Sequence, residues 1–169
     1  MEPSHAFSEE DWLVHTHYGI GQIKGIEVKM ISGAKASYFR IQTSDSTFWI
    51  PVDQMDSEIL RPLATLEEIQ LAIAILQRPP KKMSADHNAR KNRIRRVQLQ
   101  NSPEDTARLI RDLRARQRDK GELNMEESSA IRALKQRLIE EWSLVMDKKS
   151  EKVSSKLDDL LDLHQLAAE

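Results

Sequence analysis

Glycine and the aromatic residues are confined almost entirely to the first third of this chain, and that segregation limits the folds open to it. Between Phe7 and Ile59 lie four of the five glycines, both tyrosines, all three phenylalanines and two of the three tryptophans of the 169 residues. Glycine permits tight turns and aromatic side chains suit a half-buried pleated surface, so this part predicts short strands. Apolar and polar residues alternate over Trp12 to His15, Gly19 to Lys29, Ser37 to Thr43 and Thr47 to Val52, with turns at Tyr18-Gly19, Ile31 to Lys35 and Ser44 to Ser46. Four or five strands in so few residues imply a small, strongly bent sheet or barrel, because a flat sheet of that size leaves its edges exposed.

From Thr65 onward the period changes. Thr65-Leu66-Glu67-Glu68 has the form of a capping box opening a helix to about Gln77, which Pro79-Pro80 stops. A second helix is expected over Ser84 to Gln100, with a thin apolar stripe of Ile94, Val97 and Leu99. Ser102-Pro103-Glu104-Asp105 combines a serine cap, proline at the first helical position and acids in the first turn; it starts a helix ending near Lys120-Gly121. Asn124 opens another, striped by Ile131, Leu134, Leu138, Trp142 and Val145, and a last one runs from about Ser150 through Leu163. Strands first and helices after predict an α+β chain of two domains, a small bent β-sheet or barrel over 1–61 and an all-α bundle over 62–169.

The composition excludes several chemistries. With no cysteine there is neither a disulfide framework nor a thiolate metal site. The first residues carry no basic and apolar leader pattern and no stretch is long enough to span a bilayer, so a cytoplasmic protein with no membrane partner is expected. Phosphate-binding, nucleophile-elbow, zinc-protease and dinucleotide signatures are missing, and no enzyme activity, cofactor, metal or small-molecule substrate is expected. His15-Thr16-His17 offers two imidazoles without further ligands at a suitable spacing, which reads as a structural or surface pair.

Although net charge is −1, it is unevenly spread. Arg78, Lys81, Lys82, Arg90, Lys91, Arg93, Arg95 and Arg96 stand in a run with one acid, Asp86. On a helix, Arg90, Arg93 and a neighbour such as Asn92 or Arg96 can meet successive phosphates while Ile94 and Val97 turn inward; a solvated helix face is the competing reading. His87 can stack on a base or meet a phosphate, a merely exposed histidine being the competing reading. Phe48 and Trp49 are adjacent on a strand, so one faces away from the core and is free to meet a partner.

In order along the chain, Phe7, Asp11 to His15, His17 to Gly21, Ile26-Glu27, Ile31-x-Gly33, Tyr38-Phe39, Ile50-Pro51-Val52, Leu109 to Leu113, Gly121, Leu123 and Glu127 resemble the CarD/CdnL family, whose N-terminal module also occurs in transcription-repair coupling factors. The resemblance implies a bacterial transcription regulator, a monomer, whose Tudor- or SH3-like β domain binds the RNA polymerase β subunit and whose helical domain contacts promoter DNA at the upstream edge of the bubble, stabilising the open complex. An interaction adaptor without DNA binding is the alternative. Carried over, the polymerase-facing positions fall on Lys29, Trp49 and Pro51, with Trp49 standing where some members have arginine. The DNA-facing positions fall on His87, where many members have a wedging tryptophan, and on Arg90 and Lys91, with Arg93, Arg95 and Arg96 beyond. A further basic position of the family falls on Ser128 or Ser129, where the charge is absent.

Overall fold

The computed structural model describes residues 7–55 and 57–164. It divides into two compact units, Met1–Leu63 and Ala64–Glu169. The first holds five strands, β1 (Trp12–His15), β2 (Gly19–Ile31), β3 (Ala34–Gln42), β4 (Thr47–Pro51) and β5 (Leu60–Pro62), in one antiparallel sheet of order β4-β3-β2-β1-β5. A 3-10 turn at Val52–Gln54 separates β4 from β5, which then pairs with β1. The register shifts between Ile23 and Gly25, a bulge that bends β2 as its partner β3 runs past.

Alternation sorts the side chains as the pattern requires. Leu13, Ile23, Phe39, Ile41, Phe48 and Ile50 point into one core with Phe7 and Met55, while Trp49 faces out. His15 is also buried: its Nδ1 accepts the backbone N–H groups of His17 (3.0 Å) and Tyr18 (3.2 Å), and its ring lies against Tyr18 and Phe48. His15 therefore closes the β1–β2 turn, a structural role, while His17 is exposed, so the pair divides between the two expected places.

The second unit contains α1 (Leu66–Leu76), α2 (His87–Gln100), α3 (Pro103–Lys120), α4 (Met125–Met146) and α5 (Ser150–Asp162). Their starts follow the caps read from the sequence. Thr65 and Glu68 exchange both bonds of a capping box, Ser102 Oγ accepts from Asp105 N–H at 3.1 Å, and Asn124 Oδ1 accepts from Glu127 N–H at 2.8 Å. The α2 start is a correction. The helix begins at His87, three residues after Ser84, because Asp86 takes the cap position and accepts from Asn88 N–H. Leu99 is corrected too: it is 55% exposed and lies outside the core that Ile94 and Val97 enter. That core joins all five helices through Ile69, Ile75, Ile94, Leu109, Ile110, Leu113, Leu134, Leu138, Trp142 and Leu157.

One position in the β domain tests this packing directly. A Cβ built at Gly21 would lie 2.5 Å from Cγ2 of the fully buried Ile41 and 3.3 Å from the Gln42 carbonyl oxygen. Gly21→Ala should therefore destabilise the β domain by about 1–3 kcal/mol through overpacking, read as a lower unfolding midpoint in urea. An unchanged midpoint would contradict the close approach.

Candidate functional site

Two surfaces carry the residues that the sequence singles out. On the β domain, pairing of Glu27 with Tyr38, Tyr38 with Pro51 and Arg40 with Trp49 brings three strands into register on the face turned away from the core. Lys29, Trp49 and Pro51 fall on that face. Trp49 is 40% exposed; the Lys29 Nζ stands 3.4 Å from its ring centroid, and its indole N–H donates to Glu27 Oε2 at 2.8 Å. Glu27 also pairs with Arg40 at 3.4 Å. The indole is thus held between an ammonium and a carboxylate, and a cation–π contact fixes the Lys29 charge beside an apolar plate. Where an arginine would supply only charge, this cluster offers charge and aromatic area together.

Sequence reading missed the opposite face of the same hairpin. Because β4 ends at its pairing with Tyr38, β2 and β3 continue beyond it as a two-stranded arm. Ile26, Val28 and Met30 keep the inward alternation of Phe39, yet nothing covers them among the described residues and each is more than half exposed. Their alternation is the same as that of a buried strand; Val28 and Met30 lie beyond the end of β4, whereas Ile26 stands level with the Phe39–Ile50 pair and is exposed all the same.

The basic run of the helical domain divides in two. Arg90 is 7% exposed and does not stand on the outer face of α2. It shares the inward stripe with Ile94 and Val97, donates from Nε to Glu127 Oε1 at 2.6 Å, and uses Nη1 on the carbonyls of Ser84 and Ala85. The phosphate-contact reading of Arg90 is accordingly replaced by a structural one. Arg93 is partly withdrawn as well, donating to Asp112 Oδ2 at 2.7 Å; Asp112 also accepts from Arg111 Nε and from the backbone N–H of Lys81.

What remains outside is a ridge at four-residue spacing, His87, Lys91 and Arg95, with Arg96 beside it. Lys91 reaches Glu126 only at 4.0 Å, and Arg95 and Arg96 have no ion pair among the described residues. Leu99 is exposed one turn further on. Next to the start of α2, Lys81, Lys82, Arg116 and Lys120 line an open groove of about 400 Å³ between the 80–85 segment and α3. Lys120 is an addition that sequence reading missed, since it lies on another helix far from the run. Among the described residues no three His, Asp or Glu side chains converge to hold a metal ion, and no helix is long and apolar enough to cross a membrane.

A family model described as CarD-like/TRCF RID domain matches residues 7–64, and one described as CarD, C-terminal domain matches residues 71–158. The chain belongs to the CarD-like family. The resemblance read from the sequence holds over both halves, as does its α+β architecture with the strands first. No curated protein matches the chain. CarD-like proteins are RNA polymerase-interacting transcription regulators, and the RID module is the part that interacts with the polymerase β subunit. In this CarD-like chain the module carries the Lys29–Trp49 pair, while the C-terminal domain carries the divided basic run.

Glu127 gives the division an energetic test. Burial would raise its carboxyl, but the Arg90 hydrogen bond, the Asn124 backbone N–H and the Arg116 guanidinium outweigh that, so it is held below the usual carboxylate range. With the folded value below the unfolded one, the stabilisation is complete above the ordinary glutamate range near pH ~4.3 and is lost as pH falls through the lowered value. Glu127→Gln should cost about 3 kcal/mol at neutral pH by leaving buried Arg90 without a counter-charge, and should flatten that acid limb. Urea unfolding across pH measures both; an acid limb as steep as wild type would contradict the assignment.

Proposed function

We propose that this chain docks on the RNA polymerase β subunit through the face bearing Lys29, Trp49 and Pro51, and that its helical domain contacts promoter DNA at the upstream edge of the bubble and so stabilises the open complex. The observation that carries this reading is the convergence of those three residues from two different strands onto one exposed face, with the Lys29 charge pre-positioned by Trp49. A pre-organised charge loses less side-chain entropy on binding than a free lysine does. The exposed Ile26, Val28 and Met30 add apolar area on the other side of the same arm, enough to meet a partner that grips the arm from both faces.

DNA contact is assigned to His87, Lys91, Arg95 and Arg96, with Lys81 and Lys82 adding charge beside the start of α2. Arg93 contributes less because Asp112 already neutralises it. Histidine has less apolar area than indole, so this member holds DNA by charge more than by a wedge. Affinity for duplex alone is expected to be weak; tethering through the β domain raises the local concentration of promoter DNA around α2. The family's regulators act without covalent chemistry of their own, and this one is assigned none.

A second reading, a protein-interaction adaptor without functional DNA binding, is favoured by one observation. Two of the five arginines and lysines from Arg90 to Arg96 that sequence reading offered to DNA are engaged by buried acids. Open-complex lifetime on a polymerase–promoter complex separates the two. The regulator reading predicts a longer lifetime with the wild-type chain, lost in Lys29→Glu and in Trp49→Ala together with retention of polymerase on the immobilised protein. An unchanged lifetime with polymerase still retained would establish the adaptor instead.

A further inference from the structure

Where α4 gives way to α5, a groove of about 520 Å³ opens over Ile73 of α1, Trp142 and Met146 of α4 and Val153 of α5. Its floor is apolar. The Trp142 indole N–H is turned to Met146 Sδ at 3.0 Å, so the ring makes its polar contact inside the protein. The rim is of opposite character: Lys148, Lys149, Lys152 and Lys156 border the groove, with Asp147 the one carboxylate among its lining residues.

These four lysines are exposed, and none has an ion pair among the described residues. Other basic groups that face α5 are matched: Lys135 of α4 pairs with Asp158 at 2.7 Å, and Arg114 and Arg118 of α3 share Asp162. Lys149 is moreover the N-cap of α5 and makes no side-chain capping bond. Ammonium groups there sit at the positive end of the helix dipole, where carboxylates are the favoured neighbours. The chain therefore concentrates like charge around an apolar floor without neutralising it internally, and a negatively charged partner would relieve that repulsion.

A phosphate backbone would match the rim but has no use for the floor, since its contacts are ionic and hydrogen-bonded. An acidic peptide with one or two large apolar side chains matches both parts. We propose that this groove binds an acidic, amphipathic segment of a partner protein, with a leucine- or phenylalanine-sized anchor over Trp142 and Met146 and Asp or Glu side chains on the lysine rim. This surface shares no residue with α2 or with the β domain, so it provides a protein contact additional to polymerase docking and to DNA contact.

The test uses the full chain and three labelled probes: a short Glu-rich peptide with two leucines four residues apart, the same peptide with serines in their place, and a DNA duplex. The leucine peptide should bind and shift the Trp142 indole N–H resonance. The serine peptide should bind about tenfold more weakly, and the double reversal Lys149→Glu with Lys152→Glu should weaken the leucine peptide by at least as much, roughly 1.4 kcal/mol per tenfold. Both lysines are exposed, so an unchanged thermal melt is expected and certifies that the variant is folded. Equal binding of the two peptides, absence of peptide binding, or an unaffected double reversal would overturn the proposal. If the duplex alone shifted the Trp142 resonance in a Lys149- and Lys152-dependent way, the groove would belong to nucleic acid instead.

Discussion

A single buried carboxylate, Glu127, holds the least hydrophobic helix of this protein in place. It is 2% exposed, closes the α4 capping box with Asn124, and receives Arg90 from α2 and Arg116 from α3. Helix α2 has only Ile94 and Val97 as buried apolar side chains, too little area to fix a helix of 14 residues by the hydrophobic effect alone. Asp112 repeats the device, gathering Arg93, Arg111 and the Lys81 backbone N–H around a carboxylate that is itself 1% exposed. The two acids thus spend part of the basic run on folding. The part left over is the outer ridge of α2, and its orientation is a consequence of the inner pairs.

This explains how much of the site was legible in the sequence. Local signals were reliable: the Thr65, Ser102 and Asn124 caps, the stripe on α4 and the opposed faces of Phe48 and Trp49 follow from rules acting over a few residues. Arg90 was misplaced although the clue was present. It stands four residues before Ile94 and seven before Val97, on the buried stripe, and its charge argued for the outside only because its partner lies 37 residues away. No local pattern announces such a partner. The same holds for Arg93 and Asp112, 19 residues apart, and for Val28 and Met30, which lie beyond the end of a different strand.

Charge is used differently on the β domain. There Glu27 holds a surface tryptophan that carries Lys29, and the whole cluster stays at the solvent boundary. Partly exposed pairs of this kind add little to stability but fix geometry, which is what the proposed docking face would require. In the helical domain the buried pairs set structure, while Arg95 and Arg96, without an ion pair among the described residues, stand where DNA contact is proposed. One residue type therefore takes both buried, paired and outer, unpaired places on the same short helix.

The salt dependence of DNA binding tests that partition most directly, measured on fork-junction DNA in the presence of polymerase for the wild-type chain, Arg93→Gln and the double variant Arg95→Gln with Arg96→Gln. Each phosphate contact contributes about 0.9 units of log–log slope, so the double variant should lose roughly two units while Arg93→Gln keeps nearly the wild-type slope. A loss of slope in Arg93→Gln with none in the double variant would contradict the division of the basic run into inner and outer halves.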